Sequence, residues 1–183
     1  MDSINNLSGM RTYLVGAMDR VPDGGIGWRN RITPILHDMG VTVLNPCKHV
    51  IDGIYEDEST RKNINFLKRN GMFDDLKKTY SKIRNADLRC VDICDFIIAH
   101  IDISVHACGS YEEIVTGNRQ KKPILIWCEQ GKINAPNWLF FMLPHENIFN
   151  SMEEIILHLE HINNVQDTST LKRWLFFKDI KND

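Results

Sequence analysis

The residue best suited to covalent chemistry is a glutamate at the end of the segment 102–113. Glu113 follows a run of apolar residues at 96–101, and the small and polar residues between them are typical of a loop that opens a helix. A carboxylate in such a loop can attack a sugar carbon, because the glycosyl ester it forms splits one difficult displacement into two easier steps. The spacing of Ser110 and Glu113 also fits a helix capping box, in which the glutamate accepts a hydrogen bond from a free backbone N–H. Both interpretations stay open at this point.

Two aspartates are further candidates. Asp87 follows Asn85, so the two could be an N-cap and an acid that complements the helix dipole. Alternatively, Asp87 is a second carboxylate near the ligand crevice and exchanges a proton with a leaving base. Asp95 precedes the apolar run at 96–101, where it could orient neighbouring groups or act only as a turn residue.

A glycine-rich loop follows the first apolar segment of the chain. That segment contains Tyr13 and ends at Gly16, and the loop after it contains Gly24, Gly25 and Gly27. Backbone N–H groups in such a loop can approach a sugar or phosphate closely, although the pattern is neither a P-loop nor a dinucleotide fingerprint. Asp19 could contact a ligand or be an ordinary polar loop residue, and Trp28 could stack on a base or belong to the core.

Short apolar segments alternate with amphipathic ones, and this alternation predicts the fold class. We predict strands at 12–15, 41–44, 96–101 and 123–127. We predict helices at 28–39, 111–118 and 151–161, and a helical stretch within 48–84 that is interrupted at Asn70 and Gly71. The pattern indicates an α/β protein, a single-domain Rossmann/flavodoxin-like parallel sheet of about five strands with helices on both faces. Ligands of such sheets bind at the carboxyl ends of the strands, where these loops begin.

Composition and charge exclude several classes of function. The 22 basic and 24 acidic residues alternate along the chain and give a net charge of −2, which does not suit a nucleic-acid partner. No apolar run approaches the roughly 18 residues of a membrane helix, and the N-terminus lacks a secretion signal, so we expect a cytoplasmic protein without a membrane partner. The five cysteines are expected to be reduced thiols. The seven histidines show no ligand spacing, so we expect neither a metal nor another cofactor.

Taken in order, these pieces resemble the nucleoside 2-deoxyribosyltransferase family over roughly residues 12–160. The first piece is Tyr13, Gly16 and Met18, followed by Trp28 and Arg29 in the next helix. The second is Asn45 with Pro46 after the second strand, and the third is Asp87 and Leu88, followed by Asp95. The fourth is Gly109, Ser110 and Glu113, followed by Lys122 and Pro123 before the next strand.

The resemblance implies a role for each of these positions. Glu113 stands where the family has its nucleophile, which attacks the anomeric carbon of a 2-deoxynucleoside and releases the base. Asp87 stands where the family has an aspartate associated with protonating or binding the base. The further substrate contacts that we carry over or infer are Tyr13, Gly16, Met18, Asp19, Trp28, Asn45, Asp95, Gly109 and Ser110.

One position departs from the family pattern. Six residues before the nucleophile, transferases of the family tend to carry an acidic residue and related 5′-monophosphate hydrolases a serine, whereas this chain has Ala107. The loop is about two residues longer than is usual in the family, so we expect Asp102 or Ser104 to contact the sugar hydroxyls instead.

We therefore predict that residues 1–162 form an enzyme domain that cleaves the N-glycosidic bond of 2-deoxynucleosides or their 5′-monophosphates. It would use a covalent glycosyl-enzyme on Glu113 and transfer the deoxyribosyl group to another free base. The alternatives are a 5′-monophosphate hydrolase that releases the free base, and a nucleotide-binding module without catalysis in which Glu113 is only a cap.

We also expect a homo-oligomer, because relatives bind the 5′ end of the substrate partly with groups of a neighbouring subunit. The tail at 163–183 carries the aromatic residues Trp174, Phe176 and Phe177. It could extend the domain or make a subunit contact, and the contact is the slightly favoured interpretation.

Overall fold

Five parallel strands form the central sheet of the protein. The computed structural model describes residues 4–48, 50–51, 54–55, 57–171 and 173–175, of which 50–51 and 54–55 are described by their backbone alone. The strands of the sheet are β1 (Arg11–Gly16), β2 (Thr42–Leu44), β5 (Phe96–Ile101), β6 (Ile124–Cys128) and β7 (Ile148–Phe149). A separate two-stranded antiparallel sheet consists of β3 (Val50–Ile51) and β4 (Ile54–Tyr55).

The order of the strands in the central sheet is β2-β1-β5-β6-β7. Every pair in this sheet is parallel, which confirms the predicted fold class. The chain leaves β1 toward one side of the sheet to form β2, and it then returns to form β5 on the other side of β1. The carboxyl ends of β1 and β5 therefore lie at the topological switch point, where sheets of this kind bind ligands.

The three central strands are mostly apolar because helices cover both of their faces. Leu14 and Ile98 point to one face and pack with helices α1 (Ile26–Asp38) and α6 (Met152–Asn164). The alternate residues point to the other face and pack with α3 (Phe73–Ile93), α4 (Cys108–Arg119) and α5 (Asn137–Met142). A further α-helix, α2 (Glu58–Arg69), packs against α3.

Local signals in the sequence account for several helix boundaries. Helix α1 is followed by Gly40 at φ 75°, a conformation that glycine adopts without strain. The predicted interruption at Asn70 and Gly71 separates α2 from α3. At α6, the hydroxyl of Ser151 accepts a hydrogen bond from the backbone N–H of Glu154 and caps the first turn.

Two predicted caps are wrong. Helix α3 starts at Phe73, so Asn85 lies in its interior and does not begin a helix. Helix α4 starts at Cys108 after Ala107, which places Ser110 inside the first turn and Glu113 in the second. A capping box needs the serine at the N-cap, so the structure leaves Glu113 without a capping role.

The tail after α6 packs on the domain as far as the structure describes it. Leu171 is buried in the same core cluster as Phe96, and the ring of Trp174 lies 5.0 Å from the ring of Phe96. Phe176 and Phe177 lie outside the described residues. A contact of this tail with another subunit stays a prediction, as does the division of the chain at residue 162.

All five cysteines are free thiols, and Cys108 is the exposed one. Among the described residues, no helix combines the length and the apolar character needed to cross a membrane.

Candidate active site

A cavity of about 350 Å³ opens at the switch point, between the loop that follows β1 and the start of α4. Tyr13, Asp87 and Glu113 form its floor and walls together with backbone of the two loops. A second cavity of about 430 Å³ continues from it toward α2 and α3. The two cavities share the walls formed by Met18, Asp19, Asp87, Cys108, Gly109 and Glu113. Together they are of the size that small-molecule sites usually have.

Glu113 is held in the second turn of α4 and is only 8% exposed. Its Oε1 accepts a hydrogen bond of 3.0 Å from the Tyr13 hydroxyl, across 100 residues of sequence. Helix α4 packs on β5 and β6, so the position of this carboxylate is set by the helix–sheet interface. A buried carboxylate that forms part of a cavity wall can reach a ligand there.

Asp87 reaches the same cavity from α3. Burial raises the pKa of Asp87 to about 6, although the Tyr13 hydroxyl and the Arg29 charge favour its ionised form. A carboxyl group with this pKa exists in both protonation states near neutral pH. It can therefore give a proton to a ligand and take one back.

Tyr13 connects the two acids. Burial, and then the neighbouring Glu113 and Asp87, raise the pKa of Tyr13 well above its ordinary value, so the hydroxyl keeps its proton. One hydroxyl has one proton to donate. The Tyr13 hydroxyl donates to Glu113 at 3.0 Å, and its hydrogen bond to Asp87 would favour the ionised form of that acid. Because one proton cannot serve both carboxyl groups at once, Tyr13 couples the two acids to each other.

The loop over the cavity, residues 17–25, is held in place by two side chains, Arg29 of α1 and Asp23 of the loop itself. Arg29 is completely buried and donates from Nε to the carbonyl of Leu14 (3.2 Å), from Nη2 to that of Gly16 (2.9 Å) and from Nη1 to that of Gly25 (2.7 Å). Asp23 accepts from the backbone N–H groups of Gly25 and Gly27, which caps α1.

The second cavity has apolar walls and a charged rim. Ile64, Ile83 and Leu88 form the apolar part. At the rim, Arg84 donates to Glu112 from both Nε and Nη2. Glu112 is thus paired on the outer side of α4, while Glu113 faces inward.

Most of the residues predicted for the site do come together. The predicted residues that line the first cavity are Tyr13, Gly16, Met18, Asp19, Asp87, Gly109, Ser110 and Glu113. They come from β1, its loop, α3 and α4, and they are up to 100 residues apart in sequence. Asn45 is buried nearby and accepts a hydrogen bond from the backbone of Cys47, while its neighbour Pro46 lines the cavity.

Asp95 lies at the other end of β5 from the cavity that contains Glu113. It precedes β5, whereas the cavity opens after β5, and six residues of strand span roughly 20 Å. Its carboxylate accepts from the backbone N–H of Arg11 at 2.7 Å and lies 3.6 Å from the Arg11 guanidinium. The structure therefore places Asp95 where it joins β1 to β5 and does not bring it to the cavity that contains Glu113.

Asp102, Ser104 and Trp28 are also placed away from Glu113. The Asp102 carboxylate accepts from the backbone and hydroxyl of Ser104 and from the side chain of Gln130, so it is held by its own loop and by the segment after β6. Asp102 and Trp28 line a different cavity, on the α1 face of the sheet, together with His100. The structure thus does not bring the two residues expected to contact the sugar hydroxyls into the cavity with Glu113.

Sequence reasoning missed Arg29 as a site residue. The signal was present, because Arg29 lies three residues before Ile32 and seven before Leu36, on the buried face of α1. An arginine on that face must find several acceptors inside the protein. His106 and Cys108, which also line the first cavity, gave no comparable signal. Within the described ranges, no three His, Cys, Asp or Glu side chains are grouped so as to hold a metal ion.

No protein-family model and no curated protein sequence matches the chain. Among solved structures, a 2-deoxyribosyltransferase from Bacillus psychrosaccharolyticus is similar, with a TM-score of 0.55 and 14% sequence identity over 80% of this chain and 90% of that one. A CMP N-glycosidase from Clostridium botulinum has a TM-score of 0.48 and 15% identity over 82% of this chain and 97% of that one. The chain therefore shares the flavodoxin-like fold of a 2-deoxyribosyltransferase, which agrees with the resemblance seen in its sequence.

Proposed function

We propose that this protein cleaves the N-glycosidic bond of a 2-deoxynucleoside, or of its 5′-monophosphate, and transfers the deoxyribosyl group to another free base. The observation that carries the proposal is the cluster of Asp87, Tyr13 and Glu113 in one cavity at the switch point of the sheet. The shared fold with a 2-deoxyribosyltransferase supports the same class of substrate.

In the first half of the reaction, a carboxylate oxygen of Glu113 attacks the anomeric carbon of the sugar. The carbon–nitrogen bond breaks, its electron pair stays with the base, and the proton of Asp87 neutralises the departing base. The product is a glycosyl ester on Glu113 and an ionised Asp87. The Tyr13 hydroxyl holds Glu113 in place through its 3.0 Å hydrogen bond.

In the second half, a nitrogen of the incoming base attacks the same carbon, and the ester bond breaks. The electron pair returns to Glu113 as a carboxylate, and the proton of the incoming base goes to Asp87. Water in place of the base would give hydrolysis by the same steps. Both acids return to their starting states, so the cycle needs no cofactor.

The test is a chromatographic assay of the purified protein with each deoxynucleoside and deoxynucleotide, with and without a second free base. A new nucleoside or nucleotide that contains the added base establishes transfer. Release of free base without exchange identifies a hydrolase, the first alternative. An absence of turnover on the whole panel favours the non-catalytic binding module.

The role of Glu113 is tested with Glu113→Gln, which keeps the shape of the side chain and removes the nucleophile. We expect turnover to fall at least a thousandfold, in line with the loss of a covalent nucleophile, and no glycosyl adduct on the protein by mass spectrometry. Glu160→Gln, at an exposed position on α6, is the matched control. Full turnover in Glu113→Gln contradicts the mechanism.

A further inference from the structure

The β1–α1 loop owes its position over the cavity to one buried cation. Residues 17–25 carry Met18, Asp19 and Arg20, which line the cavity that contains Glu113. The backbone on both sides of this loop converges on the guanidinium of Arg29. The anchoring group is therefore outside the loop, on a helix that packs against the sheet.

Arg29 bonds three carbonyls, each from a different nitrogen of its guanidinium. The three carbonyls belong to Leu14 and Gly16, which end β1, and to Gly25, which precedes α1. A planar guanidinium presents separate donors in three directions from one rigid group, whereas an ammonium is a single point. Arg29 thus ties the two ends of the loop to each other through one side chain.

One glycine makes room for this group. A methyl on Gly25 would collide with Arg29 Nη1 and with the carbonyl oxygen of Ala17. Gly25 also has φ 74°, a conformation that side chains rarely adopt. The glycine at the end of the loop therefore fits the anchored conformation itself.

The same cation acts on the acids of the site. Arg29 lines the cavity with Asp87, and its charge lowers the pKa of Asp87 against the larger effect of burial. The other charged or titratable groups that line the two cavities with Asp87 are Tyr13 on β1, Asp19 and Arg20 in the loop, Arg61 on α2, Tyr80 and Arg84 on α3, His106 before α4, and Cys108, Glu112 and Glu113 on α4. Of the two arginines at the outer cavity, Arg84 is engaged with Glu112.

We propose that Arg29 is a positioning residue that clamps the β1–α1 loop against the end of β1, and so sets the shape of the substrate cavity. The consequence for catalysis rests on the proposed function, whereas the clamp itself does not. Arg29 does not touch the reacting atoms in this scheme. It acts through the loop and through Asp87.

The first test is hydrogen exchange of the loop amides in Arg29→Lys, with Arg31→Gln as control, because Arg31 is exposed two residues further along α1. Lysine keeps the charge but carries all of its donors on one nitrogen, whereas Arg29 reaches the three carbonyls from three separate nitrogens. We expect exchange across 17–25 to become about tenfold faster or more, the factor expected from losing a charge-assisted hydrogen bond, while the amides of β6 keep their protection. If the loop amides of Arg29→Lys exchange as slowly as those of the wild type, the proposal is overturned. It is also overturned if the amides of β6 lose as much protection as those of the loop, because Arg29 would then have a general structural role.

The second test separates the effect of the Arg29 charge on Asp87 from the effect of its hydrogen bonds on the loop. Arg29→Gln removes the charge, so we expect the carboxyl resonance of Asp87 to titrate at least about half a pH unit higher than in the wild type. In Arg29→Lys the titration stays near its wild-type position. If Arg29→Gln does not fold, the exchange data on Arg29→Lys still decide. Neither readout needs turnover, so both remain informative if Glu113→Gln contradicts the proposed reaction.

With an active substrate, Arg29→Lys is expected to raise KM about tenfold and to change kcat less, because the loop contacts bound substrate in both the ground and the transition state. A fall in kcat at unchanged KM would overturn this part of the proposal. The KM of Arg31→Gln should equal that of the wild type.

Discussion

At the scale of a single residue, burying the carboxyl group of Asp87 costs free energy when that group is ionised. Burial raises its pKa to about 6 from an ordinary value near 3.8, so the folded protein holds this proton over a pH range in which the unfolded chain has lost it. The proton held by Asp87 therefore favours the folded state most at low pH, and this contribution is lost as the pH rises from about 4 through about 6. Above that range, the ionised and largely desolvated Asp87 destabilises the folded state.

Asp87→Asn should accordingly raise the free energy of unfolding, relative to the wild type, more at pH 8 than at pH 4. A shift of two pH units corresponds to about 3 kcal/mol, and because Asp87 is partly exposed and Tyr13 and Arg29 offset part of its burial, we expect a difference of about 1–3 kcal/mol. Urea unfolding of both proteins at the two pH values measures it. Asp75→Asn, exposed on the same helix, should show much less pH dependence. A pH-independent effect of Asp87→Asn would contradict the raised pKa.

Single residues were predictable from the sequence where their chemistry was unusual, and not where their environment decided their role. Glu113 and Asp87 were singled out because carboxylates near loop starts suggest chemistry, and the structure brings both to one cavity beside Tyr13, while their catalytic roles stay a prediction. Asp95 and Asp102 have the same side chain and looked equally suitable. Their actual partners, Arg11 for one and Ser104 with Gln130 for the other, depend on strand ends and loops that no local pattern specifies.

At the scale of elements, α4 matters most because it carries Glu113. Gly117, one turn later on the same helix, allows a close approach to β5, since a methyl at this position would lie 2.5 Å from Ile97 Cδ1. The carboxylate is thus placed by a helix that touches the sheet at a glycine. The sequence predicted the helix but started it at 111 instead of Cys108, because a serine three residues before a glutamate looks the same inside a helix as at its start.

Gly117→Ala should therefore destabilise the protein by about 1 kcal/mol net, because overpacking costs about 1–3 kcal/mol and the better helix propensity of alanine returns about 1. Ile97→Val removes the methyl group that the new side chain would meet. We expect the double variant to lose less stability than the sum of the two single variants, by about 1 kcal/mol in a double-mutant cycle measured by chemical unfolding. Strict additivity would show that α4 does not depend on this contact.

At the scale of the whole molecule, the alternation of strands and helices was enough to predict a parallel sheet covered on both faces. It was not enough to predict the order β2-β1-β5-β6-β7, since pairing depends on contacts between distant segments. The last strand, Ile148–Phe149, has only two residues and left no pattern of its own. Its place beside β6 is set by pairing with Ile126 and Trp127.

The tail after α6 is the part of the molecule where the sequence favoured a subunit contact and the structure shows packing within the chain. Trp174 lies against Phe96 at the start of a central strand, and Leu171 is 6% exposed in the same cluster. The N-terminal segment meets the end of α6 nearby, where Asn6 donates to the carbonyls of Ile162 and Val165. Both ends of the described chain thus close over one face of the sheet.

Trp174→Ala should then lower the stability of the single domain by about 2–3 kcal/mol, less than for a fully buried tryptophan because the side chain is half-buried. For a chain of this length that corresponds to a fall in Tm of about 4–12 °C. If the packing within the chain is what matters, the fall is the same at low and high protein concentration, because unfolding of one chain does not depend on mass action. A fall in Tm that disappears on dilution, together with a smaller assembly in sedimentation, would instead assign Trp174 to a contact between subunits.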